Sequence, residues 1–381
     1  MLIPVLIEPN YTNSVWAVQA MEGLNQEANR KKYRVLLLDP EKYRETDYVS
    51  LFADQSPLVI ILGPDMTWVP GAVSFFSEKH IPCILVCFDP AETYHLQGMV
   101  RMDYIGATHA VMTYLKQCGR KRIALYGFNP ASSPDRLKQR YFEGGSTAEG
   151  SGLPTVFPNY GSLDACYRSF LPTVGEFDAA VCANDMVAVS LMRHLKRDGI
   201  QVPEDLFLVS FGDSLLARAV TPSITSASLD HTEMGRQAAA LYGYLSRRQQ
   251  GTASVSVRVK STLHIGGSTA FLPYHAFDPE LPVFSDGKEI NFYDDPEVAA
   301  LCRLETLLDA CDETDRKLLR GMLNRTPVRQ LEGEAFITAS ALAYRKKRIQ
   351  NLAGCRSMAE LQDFLQNAAE IGLTFDEDAL E

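Results

Sequence analysis

Val181-Cys182-Ala183-Asn184-Asp185-Met186-Val187-Ala188 is the stretch on which the fold of this chain turns. Its first three residues are small and apolar and suit a strand buried on both faces, as strands of parallel sheets are. The polar pair Asn184-Asp185 ends that strand, and the apolar spacing beyond it has a helical period, so the run reads as strand, cap and helix. In an open parallel sheet, ligands bind at the carboxyl ends of the strands. Asn184 is therefore a candidate ligand contact as well as a cap, whereas capping alone is the stronger reading for Asp185. Val209-Ser210-Phe211-Gly212-Asp213 repeats the pattern, an apolar strand running into a polar edge.

Outward from this point the same rhythm continues. Strand-like runs at 2–8, 34–38, 57–62, 82–88, 122–128, 178–182 and 206–211 alternate with helical patterns such as 14–31, 104–118, 186–198 and 232–247. Such alternation predicts an α/β architecture of doubly wound parallel sheets with helices on both faces. A seam at Val100–Asp103 reads as a crossover, giving an N-lobe of about 1–102 and a C-lobe of about 104–250, with late crossing strands near 255–260 and 262–265. Residues 1–270 are thus expected to form a two-lobed ligand-sensing domain, and a cleft between lobes is a favoured ligand site. Pro273, Pro279, Pro282 and Gly287 mark a linker at 271–296, helical patterns fill 297–371, and 372–381 is an acidic tail.

The strand-end motifs, with Thr221-Pro222-Ser223-Ile224-Thr225, resemble the effector domain of LacI/GalR regulators, a fold shared with type I periplasmic binding proteins. The resemblance spans about 2–270 and implies ligand contacts at Asn13, Trp16, Asp103, Lys138, Asn184, Phe211 and Asp213. Planar amide and carboxylate groups, a cation and aromatic faces suit a sugar or another polar metabolite. This sequence departs from the family pattern in three places: Lys138 replaces an arginine, Tyr141 a glycine, and Gly212 a ligand-binding aspartate. Trp16 is equally compatible with the core, and Lys138 with a solvated surface.

Further on, Asp315 to Leu361 resembles the LuxR/NarL type of helix-turn-helix, with Arg325, Glu332 and Lys346 off its pattern. In that alignment 327–335 is the supporting helix, Phe336-Ile337 anchors the turn in the core, Thr338 caps the recognition helix and Gly354 ends it. From Ile337 to Arg356 there is no acidic residue, while Arg345, Lys346, Lys347, Arg348 and Arg356 appear. An uncharged start followed by cations suits a major groove, the start reading bases and the cations meeting phosphates. The resemblance assigns Thr338, Ser340, Ala343, Tyr344 and Lys347 to the DNA-facing side, with Arg345 and Arg348 on phosphate. A solvated basic face on an ordinary bundle helix is the plainer alternative.

Composition narrows the function. A formal net charge of -10 over 381 residues argues against coating nucleic acid or anionic membrane with the whole surface, though not against one basic helix. The eight cysteines show no metal-ligand spacing and several lie in apolar runs, which suggests buried thiols in a reducing, cytoplasmic setting. No apolar run approaches the roughly 20 residues needed to span a bilayer. There is no phosphate-cradling loop, nucleophile elbow or zinc motif, and the glycine-rich stretch 144–152 lacks a terminal Gly-Lys-Ser/Thr. No enzyme, cofactor or metal is expected. The expectation is a cytoplasmic, homodimeric transcription regulator with a small-molecule effector, a DNA operator and no membrane partner. The alternative is a cytoplasmic solute sensor whose C-terminal helices dock a protein; an enzyme acting on sugars is more remote.

Overall fold

The apolar runs fold as strands: β1 (Leu2–Ile7), β2 (Arg34–Leu38), β3 (Val59–Leu62), β4 (Cys83–Val86), β5 (Gly98–Met102), β6 (Ile123–Phe128), β7 (Val156–Pro158), β8 (Ala179–Cys182), β9 (Phe207–Gly212), β10 (Thr225–Ser228), β11 (Val255–Val259) and β12 (Leu263–His264). The computed structural model describes residues 1–89, 96–145, 155–247, 254–269, 292–370, 372, 373 and 375. Most of the linker (271–291), most of the glycine-rich stretch (146–152) and most of the acidic tail lie outside them. Two units are formed: Met1–Met112, Phe128–Ser146 and Leu229–Thr262 make unit 1, while Thr113–Gly127, Thr147–Ser228 and Leu263–Glu381 make unit 2.

Unit 1 holds a parallel sheet in the order β11-β5-β4-β3-β1-β2. Ile3, Val5, Ile60, Leu62 and Ile84 are fully buried, and each such side chain stabilises by about 1.5–3 kcal/mol. Two expectations are corrected here. Val100–Asp103 is not a crossover: Gly98–Met102 is an interior strand whose residues alternate between buried and half-buried, paired to β4 on one side and β11 on the other. The helix His231–Leu245, expected in the C-lobe, belongs to unit 1. Its small residues explain this. A Cβ on Gly235 would overlap the Ala20 carbonyl, and one on Gly23 the Thr232 carbonyl, so it crosses the helix Val15–Arg30 backbone to backbone.

In unit 2 the sheet order is β12-β10-β9-β8-β6-β7, with β12 antiparallel to β10 and β6, β8, β9 and β10 parallel. Five further helices follow: Pro296–Ala310, Glu313–Leu323, Val328–Glu334, Ala339–Leu352 and Met358–Glu370. The first is seated on the sheet-covering helices by acids that satisfy helix starts. Asp295 Oδ2 accepts from the amide of Leu163 at 2.8 Å, and Glu305 accepts from the amides of Leu215 at 3.0 Å and Leu216 at 2.6 Å. The first turn of a helix has amides with no partner inside it, so these acids complete neighbouring elements. Burial pushes the Glu305 carboxyl up to about 7 against the lowering effect of those amides. Glu297 faces His194 Nε2 at 3.3 Å and Arg193 Nη1 at 3.4 Å, and its carboxyl is held below the usual range by them despite burial.

Candidate functional site

In unit 1 the candidate residues cluster where β1 ends and the helix Val15–Arg30 begins. Asn13 is exposed in the turn, and Ser14 caps the helix by accepting from the amide of Ala17. Trp16 is half-buried, with its ring centroid 5.7 Å from Tyr11 and 6.0 Å from His231, so it joins an aromatic group and also packs on the core. Lys138 is not solvated. Only 3% exposed, it places Nζ 2.7 Å from Asp135 Oδ1 and faces the rings of Phe128 and Tyr104 at 5.3 and 5.6 Å. A buried lysine persists only when its charge is met, and the carboxylate and two ring faces meet it here. Asp103 accepts from the amide of Gly106 at 3.3 Å and stands 3.7 Å from Arg258 Nη1, closing the end of β5 against β11.

Sequence reasoning missed two groups in this cluster. Glu8, at the carboxyl end of β1, is buried; its Oε2 accepts from the amide of Asp65 at 3.0 Å while Oε1 has no partner. Burial pushes its carboxyl up to about 8, with the Asp65 charge adding to the rise and the Asp65 amide opposing it. Burial, aided by the charge of Lys138, pushes His231 down to about 4. An acid ending a parallel strand was the available signal for Glu8. His231 had none, because its helix lies far along the chain.

In unit 2 the residues around β8 and β9 form a closed polar knot. Asn184 accepts from the amide of Val187 at 3.1 Å and caps the helix Asp185–Arg197. Asp185, read from the sequence chiefly as a cap, is not one, because the cap is Asn184. The Asp185 Oδ1 accepts from the hydroxyls of Ser210 and, at 2.7 Å, Ser226, while Oδ2 accepts from the amide of Ser214 at 2.7 Å. Gly212 is required beside it: its φ is +141°, and a Cβ there would stand 2.6 Å from Asp185 Oδ2. That contact gives a physical reason for a glycine where the resemblance implies an aspartate. Asp213 has φ +58° and takes a two-pronged ion pair from Arg218 at 3.0 and 2.6 Å, with His264 Nε2 at 3.4 Å. Phe211 is fully buried in β9, a core ring beneath the strand edge.

The helix Ala339–Leu352 begins as the sequence predicts, with Thr338 accepting from the amide of Ala341 at 3.3 Å, and Gly354 at φ +65° follows its end. Thr338, Ser340, Ala343, Tyr344 and Lys347 are exposed. Arg345 and Arg348 are spoken for. Arg345 Nη1 lies 2.8 Å from Asp312 and 2.7 Å from Asp315; Arg348 pairs with Asp315 and donates to the Ala310 carbonyl at 2.7 Å. Asp315 is fully buried, so these cations neutralise it. Phe336 does not anchor the turn. It is 93% exposed at φ +53°, and the packing comes from buried Leu331, Leu342 and Ile349.

All eight cysteines are free. Among the described residues no cluster of His, Cys, Asp and Glu could hold a metal ion, and no helix is long and apolar enough to cross a membrane.

Residues 112–269 match a family model described as a periplasmic binding protein-like domain. The chain is 25% identical over 234 residues to the NTD biosynthesis operon regulator NtdR of Bacillus subtilis, covering 58% of this chain and 68% of that protein. A putative transcriptional regulator LacI from Bacillus cereus subsp. cytotoxis superposes with a TM-score of 0.59 at 16% identity, over 70% of this chain and 97% of the other. A LacI family regulator, CCPA from Weissella paramesenteroides with bound glucose, superposes with a TM-score of 0.54 at 20% identity, over 70% and 98%. The two parallel-sheet units have the LacI-type, periplasmic-binding-protein-like fold, followed by a helical C-terminal region.

Proposed function

We propose that this chain is a ligand-responsive transcription regulator, binding a small polar effector, a sugar, at the carboxyl edges of its parallel sheets and DNA through the helix Ala339–Leu352. The observation that carries the proposal is the character of that helix. It is capped by Thr338, offers Ser340, Ala343, Tyr344 and Lys347 to solvent, and follows a sensor fold that resembles regulators. Of the cations, Lys347 is exposed and placed for phosphate or base, while Arg345 and Arg348 hold the helix on Asp312 and Asp315. On the sensor side, the groups proposed for the effector are Asn13, Trp16, Asp103 and Lys138 in unit 1 and, separately, Asn184 and Asp213 in unit 2, where Phe211 lies in the core beneath the strand edge. A single module with few free cations binds DNA weakly at physiological salt, so the protein is expected to act as a homodimer on paired half-sites in the cytoplasm.

A second reading has its own support. With two arginines committed inward and Phe336 and Tyr344 93% and 72% exposed, the same face suits a protein partner. The deciding experiment measures binding to fragments of the protein's own upstream DNA at several salt concentrations. The regulator reading expects specific binding whose salt slope drops by about one when Lys347 becomes alanine. No DNA binding by the full chain, with or without sugars, decides for a partner protein. Thermal-shift screening against a sugar panel tests the effector, and the absence of any stabilisation argues against a sugar.

A further inference from the structure

The helices Asp185–Arg197, Pro296–Ala310 and Met358–Glu370 enclose a cavity of about 240 Å³ within unit 2. Val189, Leu304 and Phe364 make its wall apolar, and Arg303, Asp363 and Asn367 bring polar groups to it. Three other charged residues on the wall are engaged. Arg193 pairs with Glu297 at 3.4 Å, and Glu360 accepts from the amide of Arg356 at 2.7 Å. Arg303 is different. Its guanidinium lies 5.2 Å from the Phe364 ring centroid, its Nε is buried without a hydrogen-bond partner, and it makes no ion pair among the described residues. Asp363 and Asn367 are exposed and likewise make no ion pair or side-chain hydrogen bond among the described residues.

A buried donor left unbonded is unfavourable, and a ligand acceptor would satisfy it. The volume is below the roughly 300–1,000 Å³ of pockets for drug-sized molecules, so one small metabolite fits. The unmet groups are one cation and one carboxylate across an apolar wall. A neutral polyol brings no charge to Arg303, and a simple anion brings none to Asp363, which is exposed at the pocket and repels a second negative charge. We propose that this cavity binds a zwitterion with an apolar body, of the α-amino-acid class. The carboxylate lies on Arg303, the ammonium lies between Asp363 and the Asn367 amide oxygen, and the side chain lies on Val189, Leu304 and Phe364. Such a ligand bridges the helix that starts at the Asn184-Asp185 edge and the C-terminal helices, and so gives the protein a second input distinct from a sugar.

The test uses the full chain and isothermal titration calorimetry, with L-leucine as the probe beside isocaproate, which lacks its amine, and isoamylamine, which lacks its carboxylate. Saturable leucine binding is expected, with each analogue weaker by at least about tenfold, or about 1.4 kcal/mol. Arg303→Met and Asp363→Asn are each expected to weaken leucine by a similar factor. Asp363 is exposed, so its variant keeps the test on a folded protein even if Arg303→Met does not fold. Failure of leucine, valine and phenylalanine to bind overturns the proposal. So does isocaproate binding as tightly as leucine, or leucine binding unchanged in Asp363→Asn.

Discussion

Replacing Asp185 with alanine tests whether the carboxylate at the end of β8 ties unit 2 together. Three donors converge on it: the hydroxyls of Ser210 and Ser226 and the amide of Ser214. A hydrogen bond to a charged acceptor contributes about 1.5–3 kcal/mol, but these losses do not add. The two hydroxyls stand 3.2 Å apart and can turn to each other, which leaves the Ser214 amide as the stranded donor. Removing a buried carboxylate also returns part of its desolvation cost. The net expectation is a loss of about 2–4 kcal/mol for Asp185→Ala. Asp185→Asn retains an oxygen for the Ser214 amide and turns its NH2 toward a serine oxygen, so about 1–2 kcal/mol is expected. Urea unfolding followed by far-UV circular dichroism measures both, while fluorescence of Trp16 and Trp68, which lie in unit 1, reports that unit separately. An alanine variant within about 0.5 kcal/mol of the parent, the range of an inert surface change, refutes the reasoning. So does an asparagine variant less stable than the alanine one.

Three further outcomes follow from the same kind of contact. Gly235→Ala puts a methyl into the Ala20 carbonyl, and Gly23→Ala one into the Thr232 carbonyl; each is expected to cost about 1–3 kcal/mol or more in thermal or urea unfolding, as overpacking does. Glu305 is protonated more readily in the folded chain, its carboxyl raised from 4.5 to about 7 chiefly by burial. Its stabilising effect is therefore full below about pH 4.5 and lost as pH rises through about 7, and Glu305→Gln should flatten the stability slope between pH 5 and 8; an unchanged slope in the variant contradicts this. Arg348→Ala leaves buried Asp315 with Arg345 alone, so a loss of about 1–3 kcal/mol is expected in unfolding, against little change for Lys347→Ala.

The architecture was legible because continuous apolar strands and polar strand ends are local signals. Arg34–Leu38 and Phe207–Gly212 announce themselves by β-branched and aliphatic runs, and Thr338 and Gly354 by the chemistry of helix ends. β5 escaped because Gly-Met-Val-Arg-Met alternates small, apolar and charged residues and is followed by Asp103, which looks like a hinge. The candidate site was less legible for a physical reason. A side chain's type says what bonds it can make, not which partner has already taken them. Lys138 was open to a solvated reading until Asp135, three residues earlier on one helix face, was seen to hold it. Asp185, Arg345 and Arg348 have the right chemistry for recognition, but are largely consumed by Ser210 and Asp315, partners at sequence separations that no local pattern reports, and Asp213 by Arg218 on the short helix that follows it.

That distribution of bonds bears on how unit 2 would transmit a signal. Asp213 ends the strand edge, Ser214 caps the next short helix by accepting from the amide of Ala217, and the amides of Leu215 and Leu216 are held by Glu305 of the first C-terminal helix. A single residue, Ser214, therefore separates an expected ligand contact, Asp213, from the anchored amide of Leu215. Separating that helix from its seat strands the amides of Leu215 and Leu216, while Asp295 on the Leu163 amide resists the same movement. Both anchors would have to fail together for the helices to swing free. The helix Pro296–Ala310 is therefore tied both to the β9 edge, through Glu305, and to the start of the helix at Leu163, through Asp295, and the cavity beside Arg303 lies along that same helix.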